Sequence, residues 1–163
     1  MKLSKTSTQA AFALVYLSDR REGGPTQARQ IAEHLGVPTD SALKVLQALV
    51  RHDVLRSQLG RSGGYCLDRD PASVSLLEII EAIDGPVRVD MPASQTSEPD
   101  PLAGVAELLH QACRRVAQQT RAQLREVTVA QLAESYAGDP VPPAELPTLV
   151  PVVPPTHAAL AVA

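Results

Sequence analysis

The stretch Ser57-Gln-Leu-Gly-Arg-Ser-Gly-Gly-Tyr65 restricts the possible folds of this chain more than any other segment. Gly60, Gly63 and Gly64 break it, and short runs of β-forming residues flank it, Val54-Leu55 before and Tyr65-Cys66-Leu67 after. Glycine supplies the backbone freedom that tight connections need, so the segment reads as a β-hairpin with a glycine tip. It directly follows Thr39 to Arg51, where Ala42, Val45, Leu46 and Leu49 recur at i, i+3, i+4, i+7, the pattern of an amphipathic helix. A short helix running into a glycine-tipped hairpin leaves few architectures open.

The residues upstream narrow them further. Ser4-Lys-Thr-Ser-Thr8 offers helix caps, and Ala10, Ala13, Leu14 and Leu17 then form an apolar stripe broad enough to be largely buried. After a polar connection from Arg20 to Gly24, Pro25-Thr26 is predicted to open a second helix with the stripe Ala28, Ile31, Ala32 and Leu35. Gly36 stands where a left-handed C-terminal cap belongs, and Val37-Pro38 closes the turn. Thr39, Asp40 and Ser41 offer a cap for the third helix. Two short helices joined by a glycine-containing turn make a helix-turn-helix.

On its other face the third helix carries Lys44, Gln47, Ala48 and Arg51. Lysine suits the acceptors of guanine, and glutamine can bond adenine twice, so this face has the chemistry to read a major groove. Polar stripes more often simply face water. Here the stripe lies between a helix-turn-helix turn and a wing, which favours DNA reading by Thr39, Asp40, Ser41, Lys44, Gln47 and Arg51. In the wing, Arg61 and Ser62 with Gly63 are expected at phosphates or the minor groove, with Arg56 close by. Lys2 and Lys5 would add phosphate contacts from the N-terminus.

Beyond the wing, Ser75 and Glu78 form a candidate capping box for a helix with the stripe Leu76, Ile79, Ile80 and Ile83, which stops at Gly85-Pro86. Val87 to Asp100 lacks apolar periodicity and contains Pro92 and Pro99, so it reads as a loop. Asp100-Pro101 then provides an N-cap and a proline at the first helical position. Leu102, Val105, Leu109, Ala112 and Val116 follow at spacings of 3, 4, 3 and 4, a coiled-coil seam. A helix from there to Glu126 would be about 37 Å long, too long for so small a domain to cover, which predicts a homodimer. Thr128 and Gln131 form a second capping box, for a short helix ending near Gly138. The last stretch, Asp139 to Ala163, holds seven prolines among Val, Ala and Leu and is expected to be a disordered, partly polyproline tail.

Composition agrees with a helical design. Three Tyr, one Phe and no Trp leave the core to Leu, Ile, Val and Ala. Net charge is -3, yet residues 1–70 carry ten Lys/Arg against seven Asp/Glu, while residues 71–163 carry five against eleven. A basic half joined to an acidic half suits a DNA-binding unit joined to a partner unit. No apolar run reaches the roughly 18 to 20 residues of a membrane span, and no signal-peptide pattern opens the chain, so a cytoplasmic location is expected. Cys66 and Cys113 are far apart and form no CxxC pair, which argues against a disulfide framework.

Several of these segments together are similar to one family. Met-Lys-Leu-Ser at the start, Ile31-Ala32-Glu33 with Gly36, Lys44-Val45-Leu46-Gln47, Gly60-x-x-Gly63-Gly64-Tyr65 and Ser75-Leu76-Leu77-Glu78 resemble the Rrf2 (Rrf-two) family of winged-helix bacterial transcription regulators. The likeness spans about residues 1–137 and implies a dimer that binds a pseudo-palindromic operator and usually represses. It also implies that Leu108 to Glu134 holds the family's long dimerisation helix and the short helix after it. Cluster-binding members supply three cysteines from the loop before that helix, but Arg88 to Pro101 contains none, so no iron-sulfur cofactor is expected by that route. The residue before the wing glycine, commonly Arg in the family, is Leu59, and Arg61 is the candidate to replace it. The aromatic residue frequent near the start of the recognition helix is Ser41 here.

The expected layout is a winged helix-turn-helix DNA-binding domain over 1–72, a linking helix over 73–86 and a cysteine-free loop over 87–101. A dimerisation helix with its short successor follows over 102–138, then the tail over 139–163. The fold is mainly α with a small β-wing. His110 and Cys113 at i, i+3 share a helix face and form a weak metal signal; packing of Cys113 near the seam is preferred. Cys66 reads as a strand residue, His34 as solvated, and His52 as a residue after the recognition helix. No nucleophile-base-acid order, phosphate loop or carboxylate pair points to an enzyme. Two alternatives stay open: a redox or metal sensor using His110 and Cys113, and a winged-helix interaction module that does not read DNA.

Overall fold

The structure, a computed structural model, describes residues 3–60, 62–88 and 103–136. Lys2, Arg61, Leu102, the loop over 89–101 and the tail over 139–163 lie outside the described residues. Among the described residues, six α-helices and one two-stranded sheet follow in chain order: α1 (Lys5–Asp19), α2 (Ala28–Leu35), α3 (Thr39–Arg51), β1 (Arg56–Gln58), β2 (Gly64–Cys66), α4 (Leu76–Asp84), α5 (Ala103–Glu126) and α6 (Val129–Glu134). Short 3-10 turns at Arg21–Gly23 and Pro71–Ser73 join them. None of the described helices is long and apolar enough to cross a membrane.

α1 is the central element. Ser4 caps it by accepting from Ser7 N at 2.9 Å, and Ala10, Ala13, Leu14 and Leu17 are buried as their spacing requires. Ala11, Val15 and Tyr16 are buried as well, because α2, α3, α4 and α6 all pack on this helix. Ser7, itself buried, donates to Asp84 Oδ2 at 2.7 Å and so ties the start of α1 to the end of α4.

α2 begins later than its sequence suggested. Thr26 N donates to Tyr65 O at 2.9 Å and Tyr65 N to Thr26 O at 2.8 Å, so Thr26 serves as a further rung on the wing rather than a first helical residue. Gln27 becomes the N-cap, its amide held by Gln30 Oε1 at 3.2 Å. Gly36 does end the helix in the left-handed conformation, at φ 62° and ψ 35°. α3 also departs from expectation at its start. Its N-cap is Pro38, whose carbonyl accepts from Ser41 N at 2.9 Å, so Thr39, Asp40 and Ser41 form the first helical turn and none of them caps it.

The capping box expected at α4 is only half formed. Ser75 Oγ accepts from Glu78 N at 3.2 Å, but the Glu78 carboxylate pairs with Arg69 instead of turning back to the cap. An ion pair with a guanidinium outcompetes a neutral amide for a carboxylate. The α4 stripe is also wider than Leu76, Ile79, Ile80 and Ile83: Leu77 and Ala82 are fully buried while Leu76 and Ile83 are only partly so, since α4 is packed by α1, α3 and α5 together. At α6, Thr128 and Gln131 form the reciprocal box, and the helix stops at Glu134 rather than near Gly138. Backbone bonds from Leu76 N to Val127 O (2.7 Å) and from Val129 N to Val74 O (2.9 Å) return the chain to the first domain, and Val129 is buried in its core.

His34 is not solvated. It stacks on Tyr16 with ring centroids 4.0 Å apart and a 15° interplanar angle, and its Nε2 lies 3.1 Å from Tyr136 Oη. Arg20 covers the Tyr16 ring at 4.6 Å. Burial, aided by the Arg20 charge, pulls the His34 imidazole below its ordinary value near 6.5. The unfolded chain therefore binds more protons at this residue than the folded one, and the stabilising contribution of neutral His34 is lost as pH falls below that value. Acidification from neutral pH should lower the denaturation midpoint, and His34→Gln should flatten that slope. Equal slopes in the two proteins would show that His34 does not carry the effect.

Candidate nucleic-acid interface

The second helix of the helix-turn-helix presents two faces. Ala42, Val45, Leu46 and Leu49 are buried, and Lys44, Gln47 and Arg51 are exposed at i, i+3, i+7. Ala48, placed by sequence on the polar face, is 8% exposed and belongs to the core side. Two residues on from the end of α3, Asp53 takes a left-handed backbone conformation at φ 55°, and Val54 N donates to Leu49 O at 2.9 Å. This turns the chain sharply out of the helix into the wing.

The hairpin runs with Arg56 opposite Cys66, Ser57 opposite Tyr65 and Gln58 opposite Gly64. β1 is therefore displaced from the expected run Val54-Leu55, whereas β2 holds Tyr65 and Cys66 of the expected second run. Val54, Leu55 and Leu67 are core residues that anchor the two legs; β1 is polar and exposed, while β2 is half-buried with Tyr65 packed against the core. At the tip, Gly60 has φ 113° and its carbonyl accepts from Gly63 N at 3.0 Å. Leu59, beside it, is 95% exposed. Ser62 is exposed and Gly63 half-buried.

Close packing explains the pair of glycines. A Cβ on Gly63 would meet the Gln58 carbonyl oxygen at 2.2 Å, and one on Gly64 would meet the Thr26 carbonyl oxygen at 2.4 Å. Both approaches are to backbone, which cannot swing aside as a side chain can.

Charge pairing separates cations that serve the fold from those left for a ligand. Arg56 is held by Asp68 at 2.7 Å, Arg29 by Glu33 at 2.8 Å, and Arg69 by Glu78. Among the described residues, Lys5, Lys44 and Arg51 are in no ion pair. Lys5 is exposed in the first turn of α1, Thr39 and Asp40 are exposed and Ser41 half-buried at the start of α3. Sequence reasoning missed the Asp68 partner of Arg56 and the Thr26 rung. Neither has a local signal, because both depend on which strand lies beside which.

The two thiols have different surroundings. Cys66 Sγ lies 3.3 Å from Asp68 Oδ1 and 3.7 Å from the Arg56 carbonyl oxygen. Burial, reinforced by Asp68, pushes this thiol above its usual value despite the pull of Arg56. Cys113 is half-buried on the flank of α5 that also carries Ala117 and Arg121, beside the seam rather than in it, and His110 is exposed. Among the described residues no group of three or more His, Cys, Asp or Glu is placed to hold a metal ion.

Helix, turn, exposed polar helix and glycine-tipped hairpin define a winged helix-turn-helix protein. Comparison with known proteins gives the family. Residues 3–135 match the model of the family described as "Rrf2: Iron-dependent Transcriptional regulator", and the chain belongs to that family. An HTH-type transcriptional regulator of Mycobacterium tuberculosis is 27% identical over 135 residues, 82% of this chain and 81% of that protein. The regulator IscR of Escherichia coli is 27% identical over 84 residues, 52% of each chain. Among solved structures, CymR, the global cysteine regulator of B. subtilis, superposes with a TM-score of 0.63 at 21% identity, covering 83% of this chain and 98% of that one. IscR of T. potens superposes at 0.62 and 19% identity, covering 83% and 88%. The chain is thus a DNA-binding transcriptional regulator with the fold of these proteins. The iron in the family's description finds no matching ligand set among the described residues, and residues 88–101 contain no cysteine.

The wing geometry carries a test. Gly64→Ala must open the Thr26–Tyr65 bridge, and overpacking of this kind costs about 1–3 kcal/mol. Urea denaturation should register that loss, and DNA affinity should fall with it. A variant as stable as the wild type would mean that the wing is not held at Thr26.

Proposed function

We propose that the protein acts as a homodimeric repressor that reads a pseudo-palindromic operator without the family's three-cysteine iron-sulfur site. The observation that carries the dimer is the surface of α5. None of the 24 residues of this helix is buried, and Val105, Leu109 and Val116 are 54%, 50% and 57% exposed. Ala112 is exposed on the same face, and Leu108, 68% exposed, extends it. A contiguous apolar stripe of this kind is stabilised by a partner, and each large side chain fully covered contributes about 1.5–3 kcal/mol. Leu102, one step N-terminal in the same spacing, continues the seam in sequence.

In this reading each protomer places α3 in a major groove, and the two-fold axis of the dimer matches that of the operator. Lys44 and Gln47 meet base edges, Arg51, Thr39 and Ser41 meet the backbone near them, and Asp40 limits which bases are accepted. Lys2 and Lys5 hold phosphates from the start of α1. Arg61, Ser62 and the backbone at Gly63 bring the wing to the adjoining minor groove. The unpaired state of Lys5, Lys44 and Arg51 among the described residues supports this assignment, since no carboxylate there has to be released before they bind phosphate.

Two measurements test it. With an operator selected from random duplexes, Lys44→Ala and Gln47→Ala should each weaken binding by about 1–3 kcal/mol and relax preference at one position per half-site. Unchanged affinity and preference in both variants would remove α3 from the interface. Leu109→Glu, which puts a charge in the seam, should sediment as a monomer. A variant that remains dimeric would place the interface elsewhere.

A further inference from the structure

A cleft of about 280 Å³ opens between the chain leaving α4 and the middle of α5, lined by Val87, Arg88, His110, Arg114, Ala117 and Arg121. We propose that it binds a small polyanion, a metabolite bearing carboxylate or phosphate groups. Residues 71–163 hold only five cationic side chains, all Arg, against eleven Asp/Glu, and three of the five meet at this one cleft. Gathering like charges costs free energy that a counter-anion removes.

One wall is built in advance. Glu81 Oε1 accepts from Val87 N at 3.1 Å and also from Arg121 on α5, so a single carboxylate locks both sides of the cleft and uses up one of its cations. Arg88 and Arg114 have no such partner among the described residues. Their guanidinium forks match carboxylate and phosphate oxygens in pairs, and His110 adds a ring nitrogen. Ala117, between Arg114 and Arg121 along α5, leaves room for the ligand, and Val87 offers an apolar surface to its carbon frame. The volume lies at the small end of ligand pockets, which suits a compact metabolite rather than a cofactor.

Helical periodicity keeps this site apart from the seam. At about 100° per residue, His110, Arg114 and Arg121 lie roughly 120–180° round the helix from Val105 and Val116, so pairing through that face leaves the cleft open. α4, which leads into one wall, packs on α1 and α3 as well as α5. A ligand drawing Arg88 towards Arg114 therefore loads the helix that supports the recognition helix.

The test is calorimetric titration of the full chain with citrate and with pyrophosphate at fixed ionic strength, with melting curves alongside. Saturable binding of either probe is expected, and the preferred one tells carboxylate from phosphate chemistry. Arg88→Gln and Arg114→Gln, both at exposed positions, should weaken it roughly tenfold to a hundredfold, the equivalent of one charge-assisted contact. Arg115→Gln, the same charge change one residue outside the cleft, should not. The proposal is overturned if millimolar concentrations of neither probe saturate, or if Arg115→Gln loses binding equally. It is also overturned if Arg88→Gln and Arg114→Gln weaken binding to a mixed-sequence duplex as much as binding of the probe, which would make the face a DNA phosphate contact. The readout is uptake by the free protein, so its failure leaves the assignment of α3 to DNA untouched.

Discussion

Two backbone hydrogen bonds, from Thr26 to Tyr65 and back, hold the wing to the foot of the helix-turn-helix. A two-stranded hairpin is marginal on its own in water, and this one has three residues per strand. The further bridge at Thr26 and the buried legs Leu55 and Leu67 make it a fixed part of the domain. The same rung decides where α2 starts, because a residue whose N–H and C=O are engaged by a strand cannot begin a helix. It also decides that position 64 must be glycine, since the Thr26 carbonyl occupies the space a Cβ would need. The orientation of the wing relative to α3 thus follows from one short contact.

α4 plays the corresponding part on the other side. Its residues pack against α1 and α3 of the first domain and against α5. Polar contacts fasten its end: Asp84 receives the buried Ser7 hydroxyl, and Glu81 receives Arg121 and the Val87 amide. Ion pairs exposed to water are weak, so the worth of Arg29–Glu33 and Arg56–Asp68 lies in orientation more than in stability. Their other consequence is subtraction. By occupying Arg29, Arg56 and Arg69 they leave Lys5, Arg20, Arg21, Lys44 and Arg51 as the described cations of residues 3–70 in no ion pair, and Lys5, Lys44 and Arg51 are those proposed to meet DNA.

The helices were legible where a periodic stripe or a local cap decided the outcome. Ala10, Ala13, Leu14 and Leu17 lie buried as their spacing demands, Gly36 caps α2 in the left-handed region, and Thr128 with Gln131 starts α6. Errors fell where a side chain finds a partner distant in the chain or a helix buries more than its stripe. α4 is packed from three sides, so its buried set is wider than one stripe. Glu78 turned from its cap to Arg69, nine residues before it. His34 found Tyr136, 102 residues away, and left the solvent.

Local chemistry, written into the sequence, therefore determined which segments are helical, where glycine ends or tightens a turn, and which residue types α3 offers to a groove. It also determined that residues 88–101 carry no cysteine. Tertiary structure alone decided that Thr26 joins the wing, that Ala48 faces inward, and that Arg88, Arg114 and Arg121 share one cleft. The division has a physical cause. Capping and periodicity act over a few residues and are read from a window, whereas a strand rung, a buried ring and a charge cluster depend on which distant surfaces the hydrophobic core brings together.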